Sequence, residues 1–115
     1  ERGFRVSCIF CEIVAGKIPC DKVYEDANIL AFKDIAPQAP VHVLVISKKH
    51  LSNVLELDEI LAGKMMQVLK KIALDLDLEK MGFRIVNNTG EKAGQSVEHL
   101  HFHILGGREF NWPPG

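Results

Sequence analysis

The 115-residue sequence has no apolar run near the ~20 residues of a membrane-spanning helix, so no helical membrane span is expected. Charge of one sign is lacking too: 14 Lys and Arg stand against 15 Asp and Glu, a net charge of −1. Without a basic excess there is no footprint for duplex nucleic acid or an anionic membrane surface, and an anionic ligand must be held by local donors. Cysteine is scarce and odd in number. Cys8, Cys11 and Cys20 make no disulfide framework, and a chain of this length buries roughly two-thirds of its unfolded surface without one. A cytoplasmic setting is therefore the expectation. No secretory pattern opens the chain, and residues 1–7 read as a frayed start. With no internal repeat and no low-complexity stretch, a single domain over residues 1–115 is expected.

Residues 8–15 can form about two helical turns, with Ile9 and Ile13 on one face and Gly16 as a stop. Residues 22–25 and 29–33 read as a hairpin about the Asp26-Ala27-Asn28 turn. Two prolines make 34–40 a loop. Residues 41–47, dense in valine and isoleucine, form the strongest strand, with His42, Leu44 and Ile46 on one face and Val41, Val43 and Val45 on the other. Apolar residues on both faces imply a central strand. Leu57, Leu61, Met65, Val68, Ile72 and Leu76 step by three or four, the stripe of an amphipathic helix over 57–76. Residues 83–87 make a fourth strand, 90–96 a glycine-bearing loop, and 98–105 a fifth strand ended by Gly106 and Gly107. The pattern predicts an α+β fold: a five-stranded, mainly antiparallel sheet with one long and one short helix. The long helix covers one face, leaving the other to loops, ligand or a second subunit.

The chemistry centres on His99, His101 and His103. Strand alternation projects all three imidazoles from one side, while Leu100, Phe102 and Ile104 anchor the other. A neutral imidazole is a competent nucleophile near pH 7, and a neighbouring one can donate to an oxyanion. Gly94-Gln95-Ser96 arrives just before this strand; its backbone N–H groups can cradle an anion, and Ser96 can hydrogen-bond a leaving-group atom. Attack on phosphorus by His101 suits this arrangement. Alternating histidines can equally bind a metal or simply make a polar strand face. His42 reads as a partly buried core histidine whose phase permits proximity to the three. Cys8-x-x-Cys11 has zinc-ligand spacing, with His50 and His99 as the residues to complete four ligands; a buried thiol pair is the alternative. Cys20 reads as packing. Asp34 can accept from two ribose hydroxyls or serve the turn it opens. Ile9, Phe10, Ile13, Phe32 and Leu44 form either a base-binding cleft or plain core. No acidic cluster calls for Mg²⁺.

The run His99-Leu100-His101-Phe102-His103-Ile104-Leu105 resembles the histidine triad (HIT) family, and its nucleotide-binding Hint branch in particular. Supporting stretches include Ile18-Pro19, Leu30-Ala31-Phe32, Pro37-Gln38-Ala39-Pro40, Lys48-Lys49-His50, Gly94-Gln95-Ser96-Val97, Leu105-Gly106-Gly107-Arg108 and Trp112-Pro113-Pro114-Gly115. The resemblance implies a homodimer whose sheets join, and hydrolysis of purine nucleoside phosphoramidates through a nucleotidyl-histidine intermediate on His101. It further implies that His103 and the backbone around Ser96 hold the α-phosphate, with Asn88 and Gln95 nearby, and that Ser96 assists the departing amine. By the same likeness Asp34 holds the ribose, while Ile9, Phe10, Phe32, Ile35 and Leu44 line the purine pocket. His42 joins the hydrogen-bond network, and Trp112 lies near the partner's active site. One departure is that typical Hint proteins lack Cys8 and Cys11; other histidine triad proteins carry this pair and bind zinc with it, a histidine matching His50 and the first triad histidine. That likeness makes Zn²⁺ a structural cofactor and His99 a ligand. The expected ligand is a purine nucleoside monophosphate, AMP or GMP, or its amides or esters; the rival readings are a dinucleoside polyphosphate hydrolase or nucleotidylyl transferase of the same family, and a zinc-stabilised, non-catalytic nucleotide-binding adaptor.

Overall fold

Two strands apolar on both faces organise the sheet. In the computed structural model, which describes residues 8–115, β2 (Ile29–Lys33) and β3 (Val41–Ser47) are buried almost throughout and pair with each other. The expectation for residues 1–7 lies outside the described residues. With β1 (Lys22–Glu25), β4 (Phe83–Val86) and β5 (His101–Gly106), they form a five-stranded sheet in the order β1-β2-β3-β5-β4, every neighbouring pair antiparallel. The β1–β2 turn is closed by Asp26, whose carboxylate accepts from the N–H groups of Asn28 and Ile29 at 2.8 Å each.

The two faces of the sheet carry different layers, as strand alternation requires. Ile29, Ala31, Val43, Val45, Leu100 and Ile104 pack beneath the long helix α2 (Glu59–Asp75), which contributes Met65, Val68, Leu69, Ile72 and Ala73. Asp58 caps α2 by accepting from the Leu61 N–H at 2.8 Å, so the helix starts two residues later than the stripe suggests, and Leu57 packs as a lead-in. On the opposite face, Leu30, Phe32, Leu44 and Ile46 meet the short helix α1 (Ile9–Val14) through Phe10 and Ile13. Cys8 is the N-cap of α1: its sulfur accepts from the Cys11 N–H at 3.3 Å. No described helix is long and apolar enough to cross a membrane.

The sheet departs from expectation at the fifth strand. Ladder pairing starts at His101, not at residue 98, because the Leu100 N–H donates to the Leu51 carbonyl at 2.7 Å, away from the sheet. The glycine-bearing loop holds a 3-10 turn over Glu91–Ala93, flanked by Gly90 and Gly94, both at φ +91°.

Candidate active site and metal centre

β3 and β5 place three imidazoles in a row. Leu44 stands opposite His103 in the register, so His42 lies on the diagonal of the same face. The Gln38 N–H donates to His42 Nδ1 at 3.0 Å. A backbone amide can only donate, so His42 carries its proton on Nε2. That proton points to His103 Nδ1, 2.9 Å away, which must accept. His103 is thereby left with its proton on Nε2, the one described buried side-chain N or O atom without a partner. The chain of bonds ends on a donor with no partner among the described residues.

His101 is set the opposite way. Its Nδ1 donates to the His99 carbonyl at 2.6 Å, which puts the lone pair on Nε2. Its ring stands edge-on to Phe10 and His103, at centroid separations of 5.1 and 5.2 Å. The Asn87 side-chain amide donates to the His101 carbonyl at 2.9 Å and extends the support of β5 beyond β4. Burial lowers the pKa of His101 and of His42, against the opposing pull of Asp34. His103 is lowered to about 4, first by burial and then by its two histidine neighbours. The row is therefore neutral near pH 7, with a lone pair at His101 and an N–H at His103.

These groups open into a cavity of about 270 Å³. Ile9, Phe10, Ile13, Phe32, Asp34, Ile35, Leu44, Ser96, His101 and His103 line it, as do Ile18, Pro19, Cys20 and Val97, which sequence reasoning did not place in a cleft. Among the stretches carrying the family likeness, Ile18-Pro19 and Gly94-Gln95-Ser96-Val97 held three of these four. Asp34 serves the turn it opens: one carboxylate oxygen accepts from the Ala36 N–H at 2.8 Å, and the other, facing the row of imidazoles, lies 3.4 Å from His42 Nε2. Asn88 and Gln95 do not line the cavity. The Gln95 amide is taken up by backbone groups, accepting from Gly90 N–H and donating to the Ser52 and Val97 carbonyls, so it shapes the loop. Trp112 is 82% exposed on this chain.

Asp34, His42 and His103 lie close enough together to suggest an ion site. The Gln38 N–H argues against one. It occupies the His42 Nδ1 lone pair, so ligation by Nε2 would require an imidazolate.

The second cluster passes the corresponding test. Cys8, Cys11, His50 and His99 converge, with sulfur to Nδ1 separations of 3.5 and 3.4 Å from Cys8 and 3.2 and 3.6 Å from Cys11. Tetrahedral zinc with Zn–S of about 2.3 Å and Zn–N of about 2.05 Å demands an S···N distance of roughly 3.6 Å. His99 Nε2 donates to the Ser47 carbonyl at 2.6 Å, which holds Nδ1 unprotonated and turned to the sulfurs. The donor set and its spacing fit a closed Cys₂His₂ zinc site.

Comparison with known proteins agrees with this architecture. Residues 15–110 match the HIT domain model. An uncharacterised HIT-like protein of Synechococcus elongatus is 50% identical over 110 residues, covering 93% of this chain and 96% of its own. A HIT family hydrolase from Legionella pneumophila superposes with a TM-score of 0.90 at 46% identity, over 95% of this chain and 100% of that one. A histidine triad protein from Clostridium difficile gives a TM-score of 0.87 at 42% identity, over 94% and 96%.

Proposed function

Because the chain belongs to the HIT domain family, we propose that it is a hydrolase of purine nucleoside 5′-phosphoramidates, working through a nucleotidyl intermediate on His101. The observation that carries this reading is the pairing of opposite tautomers in one cavity: a lone pair on His101 Nε2 beside an unpartnered N–H on His103 Nε2. In the first step His101 Nε2 attacks the α-phosphorus and the phosphorus–nitrogen bond breaks. The amine leaves with a proton supplied through Ser96 or the histidine network. His103 Nε2–H and the backbone around Ser96, in a loop that Gln95 shapes, steady the phosphoryl oxygens as charge develops. Water then attacks the phosphohistidine, releasing nucleoside monophosphate and restoring neutral His101. Asp34 holds the ribose hydroxyls, and Phe10, Phe32, Ile9, Ile13, Ile35 and Leu44 enclose the purine. His42 keeps His103 in its donor tautomer.

Zinc bound by Cys8, Cys11, His50 and His99 plays a structural part; it ties α1 to the sheet and takes no step in the reaction. The open edge of β4, where Phe83 and Ile85 are exposed, supports a homodimer, which would bring Trp112 toward the partner's site. Thiols at all three cysteines suit the cytoplasm, and the chain acts as one domain without nucleic-acid or membrane partners.

The test is a rapid-quench reaction with an adenosine phosphoramidate. Wild type should accumulate an adduct of nucleotidyl mass on His101, and His101→Ala should lose turnover by about 10³-fold or more. Undiminished turnover in His101→Ala removes the proposal.

A further inference from the structure

α1 belongs to two sites at once. It has six residues, far short of the ~12–15 at which an isolated helix becomes marginal, so its position must be imposed from outside. One side presents the sulfurs of Cys8 and Cys11 to His50 and His99, which stand just after β3 and just before β5. The other side presents Ile9, Phe10 and Ile13 to the cavity. Phe10 joins the two: its ring lies edge-on to His99 at 5.8 Å, His101 at 5.1 Å and Phe32 at 5.8 Å. Cys8 and Cys11 pack with the core on the α1 face of the sheet, and neither belongs to the core beneath α2.

We infer that the metal held by Cys8, Cys11, His50 and His99 sets the nucleotide affinity of the cavity by fixing α1 as its wall, with Phe10 the positioning residue that transmits the constraint. This rests on the nucleotide reading above. Metal binding orders α1, and a nucleotide that needs the wall in place binds an already ordered surface. Coupling of this kind is reciprocal: nucleotide must raise metal affinity by the factor by which metal raises nucleotide affinity.

The experiment titrates GMP and AMP calorimetrically into zinc-loaded protein, chelator-stripped protein and Cys8→Ser/Cys11→Ser. Separately, zinc affinity is measured by competition with a chromogenic chelator, with and without saturating nucleotide. Nucleotide affinity should fall about tenfold without metal, within the ~5–150-fold span usual for coupled sites, and zinc affinity should rise by the same factor with nucleotide. In Phe10→Leu, which keeps all four ligands, the factor should shrink toward one. Equal nucleotide affinity with and without zinc overturns the coupling while leaving the proposed function standing. A factor unchanged in Phe10→Leu overturns the route through α1. Loss of the far-UV circular dichroism spectrum on stripping makes the effect global and also overturns it. Zinc-loaded protein that binds neither nucleotide defeats the proposed function, and the coupling with it.

Discussion

Lowering the pH should unfold this protein through its buried histidines, and His103 gives the effect a size. In the folded chain its pKa is about 4, against about 6.5 for an unperturbed imidazole. Over that interval the unfolded state binds a proton and the folded state does not, so stability falls as pH falls. The contribution is fully present above pH 6.5 and is lost progressively down to pH 4. Integrated from pH 7.5 to 5, one such group costs ~2 kcal/mol; His103 keeps some solvent contact, which brings the working figure to ~1–2 kcal/mol. Urea unfolding of wild type and His103→Asn at pH 7.5, 6 and 5 measures it. Asparagine can still accept from His42 Nε2–H but cannot titrate. The variant should be less stable at neutral pH and lose less stability on acidification, the two curves converging by ~1–2 kcal/mol. Parallel curves would mean that His103 is not held neutral, and the tautomer assignment behind the proposed chemistry would fall with it.

Three other outcomes test the scaffold, the first two separately from the chemistry. Asp58→Ala removes the N-cap of α2 and should cost about 1 kcal/mol in urea unfolding, with kcat/KM unchanged. Ile104→Ala, wholly buried under α2 on the face away from the histidines, should cost ~2–5 kcal/mol while the folded fraction keeps its kcat/KM. Gly107→Ala meets two obstacles: the residue sits at φ +90°, and an added Cβ would lie 2.9 Å from Pro40 Cβ. It should lose ~1–3 kcal/mol by thermal or urea unfolding and lower kcat/KM as well, because the displaced proline loop carries the Gln38 N–H that orients His42.

What could be read from the sequence was what depends on local periodicity. The alternation in residues 41–47, the stripe along α2, the Asp26 turn and the spacing of Cys8 and Cys11 all express rules of near neighbours, and each found its element or its partners in the fold. What escaped was decided across the chain. The phase of His42 was visible, but the bond to His103 needs the β3–β5 register, and its direction needs an amide four residues earlier. Asn87 was taken as the end of a strand, whereas its side chain supports His101. Gln95, placed near the phosphate by likeness, spends its amide on the loop backbone, and Cys20, which packs against the α1-face core as read, lines the cavity as well.

The late start of β5 shows why such misses matter. Had residue 99 continued the strand, its carbonyl would have faced the demands of the sheet ladder. Instead the chain bends over residues 97–99, the Leu100 N–H goes to Leu51, and the His99 carbonyl accepts from His101 Nδ1. His99 then does three things from one position: Nδ1 faces the sulfurs, Nε2–H anchors on Ser47, and the backbone oxygen selects the tautomer of the next histidine. Moving this residue to repack the cluster would also move the acceptor that puts the lone pair on His101 Nε2. The metal cluster and the nucleophile are separate in chemistry but share a backbone unit, so neither can be rebuilt without disturbing the other.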